Sequence, residues 1–407
     1  MKKIIGLFLL LLLMSSCAEK KEDSLAEGIW LAELTAMDDV ILPFNFKLMK
    51  SANGKLQMEI YNAEEVITVD EIETKNDSIW IKFQVFEGYI AGTFTENSIN
   101  GEFIKESLDR IVPFKATHGI TERFKNSRTP EENVSGIWET EFGKGTPDKY
   151  KAKGIFVQKG DKITGTYRTE TGDYRYLDGV VSGDSLKISA FDGAHAFVFT
   201  AKVTDSSMNG AFYSGNHSKE LFTAKRNEAF ELTAADSLTF IKDGYEKFAF
   251  SFPDADGKMI SLEDERFNDK VVIVQVMGTW CPNCLDETKY YIDYLKKNPD
   301  TDLEVIAIAF EYAKSKEGAF RSIKRMKDRI GVEYPIVLAQ FGSSDKALAQ
   351  EKLPMLNHVL SYPTSIFIDK NGNVRKIHTG FNGPATGEKF IEFQKEFDGF
   401  VKKLLSE

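Results

Sequence analysis

The chain of 407 residues is 42% hydrophobic and 28% charged, with 62 acidic against 52 basic residues and a formal charge of −10. This is globular composition over more length than one core serves, so two or three domains are expected. The acidic balance, with no long Lys/Arg run, argues against a nucleic-acid partner, and three cysteines are too few for a disulfide-stapled scaffold.

The N-terminus comes first. Lys2 and Lys3 precede the apolar run Ile4 to Met14, and Ser15, Ser16 and Cys17 follow, which is the charged, apolar, small-residue order of a secretory signal. The run is too short for a spanning helix, which needs roughly 20 residues. A signal that ends in cysteine, here Met14-Ser15-Ser16-Cys17, resembles the bacterial lipoprotein lipobox. That resemblance implies cleavage after residue 16, acylation of Cys17, contact with the lipid bilayer through it, and an extracytoplasmic, lipid-anchored place in the cell envelope. Ordinary secretion with a free Cys17 is the alternative. Residues 17–26 then read as a charged, solvated tether.

The next two hundred residues read as short strands punctuated by NG, GD, DG and SG pairs, with no helical periodicity. They also repeat. Gly28-Ile29-Trp30 recurs as Gly136-Ile137-Trp138, Gly54 as Gly160, Asp77-Ser78 as Asp184-Ser185, and the Ser98 to Phe103 segment as Ser207 to Phe212, at offsets of 108, 106, 107 and 109. Near-constant spacing argues for a duplicated β-meander, 27–126 and 135–226, forming two small barrels or two halves of one. The GxW starts resemble lipocalin-like β-domains in pattern. Trp30 and Trp138 read as core plugs rather than as a cavity lining, and no catalytic constellation is legible in this region.

After a mixed linker, 227–245, strands alternate with helical periods over 246–407. KVVIVQVMG is an apolar run suited to a buried parallel strand, and LEVIAIAFEY, YPIVLA and TSIFID are three more. Ala319, Phe320, Ile323, Met326 and Ile330 share one helical face, and so do Phe390, Phe393, Phe397, Phe400, Val401 and Leu404. The turn at Lys370-Asn371-Gly372-Asn373 predicts a hairpin on an otherwise parallel sheet. The fold class is multidomain, an all-β duplicated region followed by an α/β domain.

The chemistry lies where the first buried strand ends, at Trp280-Cys281-Pro282-Asn283-Cys284, ahead of Thr288, Tyr291, Ile292 and Leu295 at helical spacing. This places Cys281 at a helix start, where free N–H groups and the macrodipole stabilise a thiolate. Cys284, one turn on, lies within bonding reach, and Pro282 fits the first turn. Zinc would need two more soft ligands, covalent haem would need His where Leu285 stands, and a structural disulfide this local would stabilise little. No cofactor is called for.

WCPNC after KVVIVQVMGT, with FPDADGKMISL before it and Tyr362-Pro363-Thr364 and SIFIDKNGNV after it, resembles the thioredoxin fold. Within that fold it is most similar to the membrane-tethered TlpA/ResA group of thiol-disulfide oxidoreductases. The resemblance implies that Cys281 and Cys284 are catalytic, that Pro363 is a cis-proline, and that Trp280, Pro282, Tyr362 and Pro363 meet substrate. It also implies that Glu287 tunes the protonation of the cysteines. Gln275 stands where thioredoxins proper carry a buried aspartate, and Gly278 stands where peroxiredoxins need Thr or Ser. The implied partners are disulfide-containing protein substrates and a membrane electron donor. A rival reading is a ligand-binding or scaffold lipoprotein that works through its β repeats, with the redox domain as accessory.

Overall fold

The computed structural model describes residues 24–343 and 345–407. Cys17, the signal and most of the tether lie outside the described residues. The first nine strands, from Gly28–Thr35 to Arg110–His118, form one antiparallel sheet. The last of them returns to pair with the first. The sheet curls into a barrel-like form, because its two edge strands, Glu65–Val69 and Glu71–Lys75, are joined by Asp70 alone. In the second sheet Tyr150–Lys159 pairs with both Gly136–Phe142 and Lys162–Thr169, which closes a ring of eight antiparallel strands. Gly172–Asp173 extends from Lys162–Thr169 as a short hairpin outside that ring.

The duplication extends to hydrogen bonds. Trp30 Nε1–H donates to the Ala26 carbonyl at 3.0 Å, and Trp138 Nε1–H to Val134 at 2.9 Å. The Phe94 N–H donates to Asp77 O at 2.8 Å, and the Val203 N–H to Asp184 O at 2.8 Å. Alternation along each opening strand turns Trp30, Ala32 and Leu34, or Trp138, Thr140 and Phe142, inward. Aromatic rings fill the interiors. Phe142 alone packs against Tyr150, Tyr167, Tyr174, Phe199, Phe212 and Phe222 at centroid distances of 5.2–6.1 Å. Such filling suits an eight-stranded ring, whose interior is just wide enough for its own side chains, and it speaks against a wide ligand cavity inside the repeats. The two repeats share a buried seam, where the Asn62 side chain donates to Phe191 O at 2.9 Å and accepts the Phe191 N–H at 3.2 Å.

The C-terminal region is a five-stranded mixed sheet in the order Ile336–Gln340, Leu303–Phe310, Val271–Met277, Thr364–Ile368, Val374–Thr379. The first three strands run parallel, and the expected hairpin adds the antiparallel pair. All seven residues of the central strand are buried, as a parallel strand covered on both faces requires. The helices are α1 (Pro282–Lys297), α2 (Lys316–Ile330), α3 (Lys346–Lys352) and α4 (Glu388–Ser406). Phe393, Phe397, Val401 and Leu404 of α4 close the core over α1. The segment expected as a linker is packed onto this region. Ile241 bridges to Leu356, the Thr379 hydroxyl donates to buried Thr239 at 2.8 Å, and Asp236 faces His378 at 2.7 Å. Among the described residues no helix is long and apolar enough to cross a membrane.

Candidate active site

Cys281 is the N-cap of α1. Its backbone is still extended (φ −100°, ψ 114°), and its Sγ accepts the N–H of Cys284 at 3.1 Å, one of the orphan amides that a helix start must satisfy. Pro282 occupies the first helical turn, where its missing N–H costs nothing. Both thiols are free. Cys281 is 6% exposed, whereas Cys284 is fully buried. The Cys281 S–H donates to the Tyr362 carbonyl at 3.4 Å, and the Tyr362–Pro363 peptide bond is cis. Trp280 donates its Nε1–H to Phe310 O at 2.8 Å, stacks on Tyr312 at 4.0 Å and meets Tyr362 edge-on at 5.6 Å. Trp280, Cys281, Pro282, Cys284, Tyr362 and Pro363 therefore converge at the C-terminal end of the central strand, where open α/β sheets carry their sites.

Glu287 lies on α1 three residues after Cys284 and is fully buried. It accepts Gln275 Nε2–H at 2.9 Å and Ser365 Oγ–H at 3.0 Å. Burial pushes its carboxyl from 4.5 up to about 7, although these hydrogen bonds pull the other way. Burial, and next the hydrogen bond with Cys281, also pushes the Cys284 thiol well above the usual range. Gln275 links the two residues, because its Nε2 also reaches Cys284 O at 3.4 Å while its Oε1 accepts from Thr288 at 3.1 Å. The neutral amide at this position thus orients the carboxylate instead of acting as a base.

Two features of the site were not read from the sequence. Glu311, at the end of Leu303–Phe310, is buried and accepts both the N–H and the Oγ–H of Thr279 at 2.8 and 2.7 Å, which fixes the turn before Trp280. Burial pushes it up to about 7 as well. An acidic residue directly after a run as apolar as VIAIAF was the available signal. The second feature is the hairpin tip 169–174 of the second β repeat, which lies against the dithiol. Asn283 Nδ2 donates to Asp173 O at 3.2 Å, and Ser361 Oγ donates to Thr171 O at 2.8 Å. The β region, silent in the sequence, forms one wall of the redox centre.

Comparison with known proteins agrees with this geometry. Residues 242–390 match the Redoxin family model. The chain is 26% identical over 140 residues to the thioredoxin-like protein YneN of Bacillus subtilis, covering 34% of this chain and 73% of that one. It is 28% identical over 157 residues to the thiol-disulfide oxidoreductase ResA of Halalkalibacterium halodurans, covering 37% and 77%. Among solved structures, a thiol-disulfide oxidoreductase from Bacteroides fragilis aligns at 19% identity and a TM-score of 0.27, over 37% of this chain and 99% of that one. The C-terminal region of this chain is a Redoxin domain with the thioredoxin-like fold, a thiol-disulfide oxidoreductase of the TlpA/ResA type.

Proposed function

We propose that the chain is an extracytoplasmic, membrane-anchored enzyme that reduces protein disulfides through the Cys281-Pro282-Asn283-Cys284 dithiol. Cys281, as thiolate, attacks one sulfur of a substrate disulfide. One S–S bond forms, the substrate S–S bond breaks, and the released substrate thiolate takes up a proton. Cys284 then gives its proton to Glu287 and displaces the second substrate thiolate, leaving an internal Cys281–Cys284 disulfide. Two electrons have moved from the protein dithiol to the substrate. A dithiol donor at the membrane returns them, because an oxidising compartment supplies none. Acylated Cys17 holds the enzyme beside that donor.

The observation that carries this reading is the Cys284 N–H held 3.1 Å from the Cys281 sulfur at the mouth of α1. That contact fixes the two cysteines one helical turn apart, so that the second can take over the bond made by the first without refolding. Glu287 suits its part because a carboxyl titrating at about 7 is divided between base and acid near neutrality. The test is trapping with Cys284→Ser in the full chain, which should accumulate mixed disulfides on Cys281 and identify the clients by mass spectrometry. Unchanged disulfide reduction by Cys281→Ser would reject the assignment.

A further inference from the structure

Three loops meet at the dithiol: 281–283 at the start of α1, 361–363, whose Tyr362 carbonyl faces the Cys281 sulfur, and 380–383, whose Phe381 carbonyl accepts Asn283 Nδ2–H at 3.5 Å. The hairpin tip of the second β repeat is bonded to each of them. Asn283 Nδ2 reaches Asp173 O, and Ser361 Oγ reaches Thr171 O. The Gly383 N–H donates to Asp173 Oδ2 at 2.6 Å, and Arg168 Nε–H donates to Asn382 Oδ1 at 3.1 Å. The approach is close. A Cβ on Gly172 would collide with Asn283 Nδ2, and one on Gly380 would stand 2.8 Å from the Thr171 carbonyl carbon. Arg175, just beyond the tip, clamps the arrangement, since its guanidinium pairs with Asp286 of α1, with Glu65 of the first repeat and, at 3.9 Å, with Asp192 of the second.

A cleft of about 480 Å³ lies beside Cys281, between the second repeat with its hairpin and the dithiol, and its aromatic lining is Tyr150, Tyr174, His195, Phe197, Trp280 and Tyr362. That volume is in the range of small-ligand sites, whereas a folded partner docks on a surface of roughly 800 Å² per side.

We propose that the hairpin 169–174 is a selectivity wall. It fills the flank of the redox centre that a folded protein would press against, and it leaves the aromatic cleft to a disulfide carried on an extended, unfolded segment with apolar residues beside its cysteine. The proposal rests on Cys281 being the attacking thiol and adds which disulfides can reach it. Each turnover remains one substrate disulfide reduced and one Cys281–Cys284 disulfide formed.

The test uses the reduced full chain and two probes that carry the same disulfide. One is a short linear peptide joined to a fluorescent thiol, and the other is that peptide sequence on the surface of a folded carrier protein. The wild type should release the fluorophore from the free peptide about tenfold faster or more than from the carrier, a factor worth about 1.4 kcal/mol in the barrier. Arg168→Gln combined with Ser361→Ala, which removes two of the four hydrogen bonds between the hairpin and its loops, should lower the ratio toward one by raising the carrier rate. Ser361→Ala alone, which removes a single hydrogen bond, serves if the double variant does not fold and should move the ratio the same way. Equal wild-type rates on both probes, or a ratio that the variants leave unchanged, would overturn the wall while the redox reading stands. Failure of the wild type on both probes would remove the attacking thiol and the wall with it.

Discussion

Replacing Glu287 by Gln should make the C-terminal region more stable at alkaline pH than the wild type. A carboxyl whose folded value is about 7 against 4.5 holds its proton more tightly in the folded state. The folded state therefore binds more protons between those values, and stability falls as pH rises through that window. Below about pH 4.5 both states are protonated and the group costs nothing. Above about pH 7 the full difference applies, roughly 2.5 units or about 3 kcal/mol. Gln keeps the shape and one acceptor for Gln275 or Ser365, and it has nothing to ionise. The variant-minus-wild-type difference should thus grow by about 3 kcal/mol between pH 4.5 and 8. Glu311 has the same sign of slope but is present in both proteins, so it cancels. Among the described residues all four α-helices lie after residue 281, so ellipticity at 222 nm followed through urea unfolding reports chiefly this region rather than the β repeats. A difference that is flat across pH would mean that Glu287 is ionised at no cost, and its place in the proton transfer would fall with that.

The same carboxyl sets the pH dependence of the second chemical step. Release of substrate from a mixed disulfide on Cys281 should accelerate as pH rises through about 7 in the wild type; in Glu287→Gln that rise should move to higher pH, toward the raised titration of the Cys284 thiol itself, in stopped-flow measurements. Glu311→Ala leaves the Thr279 N–H and hydroxyl without their acceptor, at a cost of about 1–3 kcal/mol in thermal unfolding, together with a slower attack by Cys281 as the turn carrying Trp280 loosens. Trp138→Ala removes a fully buried indole from the second repeat, and urea unfolding of the β region should show a loss of about 3–5 kcal/mol.

What the sequence displayed was governed by local physics. A helix start preceded by a buried strand places Cys281 and Cys284 without any long-range contact, and that geometry is what the structure holds. The duplication was legible because glycines at strand entries and turns recur wherever the backbone demands them. Gly28 and Gly136 have φ of 127° and 115°, and Gly54 and Gly160 have 78° and 67°. Glu311 escaped notice because a carboxylate next to a strand end resembles a solvated one until the fold covers it. The groups it accepts from belong to Thr279, thirty-two residues away.

The hairpin against the dithiol was illegible for a deeper reason. Two of its four bonds to the redox loops are made by backbone carbonyls, Thr171 O and Asp173 O, which every residue possesses, and the other two by the Asp173 carboxylate and the Arg168 guanidinium. Its partners lie 110 to 214 residues along the chain. One arginine and one aspartate make no motif, and the close approach at Gly172 and Gly380 shows only once the fold is formed. Arg175 gave no better signal, since an arginine among tyrosines reads as surface until Glu65, Asp192 and Asp286 are brought around it. A guanidinium enclosed by three carboxylates from three parts of the chain is expensive to build unless those parts must stay in register. The register that it holds is the one that keeps the second repeat against Cys281. The β region is thus a structural component of the redox centre, and substitutions within 169–175 should alter thiol reactivity more than their distance in sequence from Cys281 suggests.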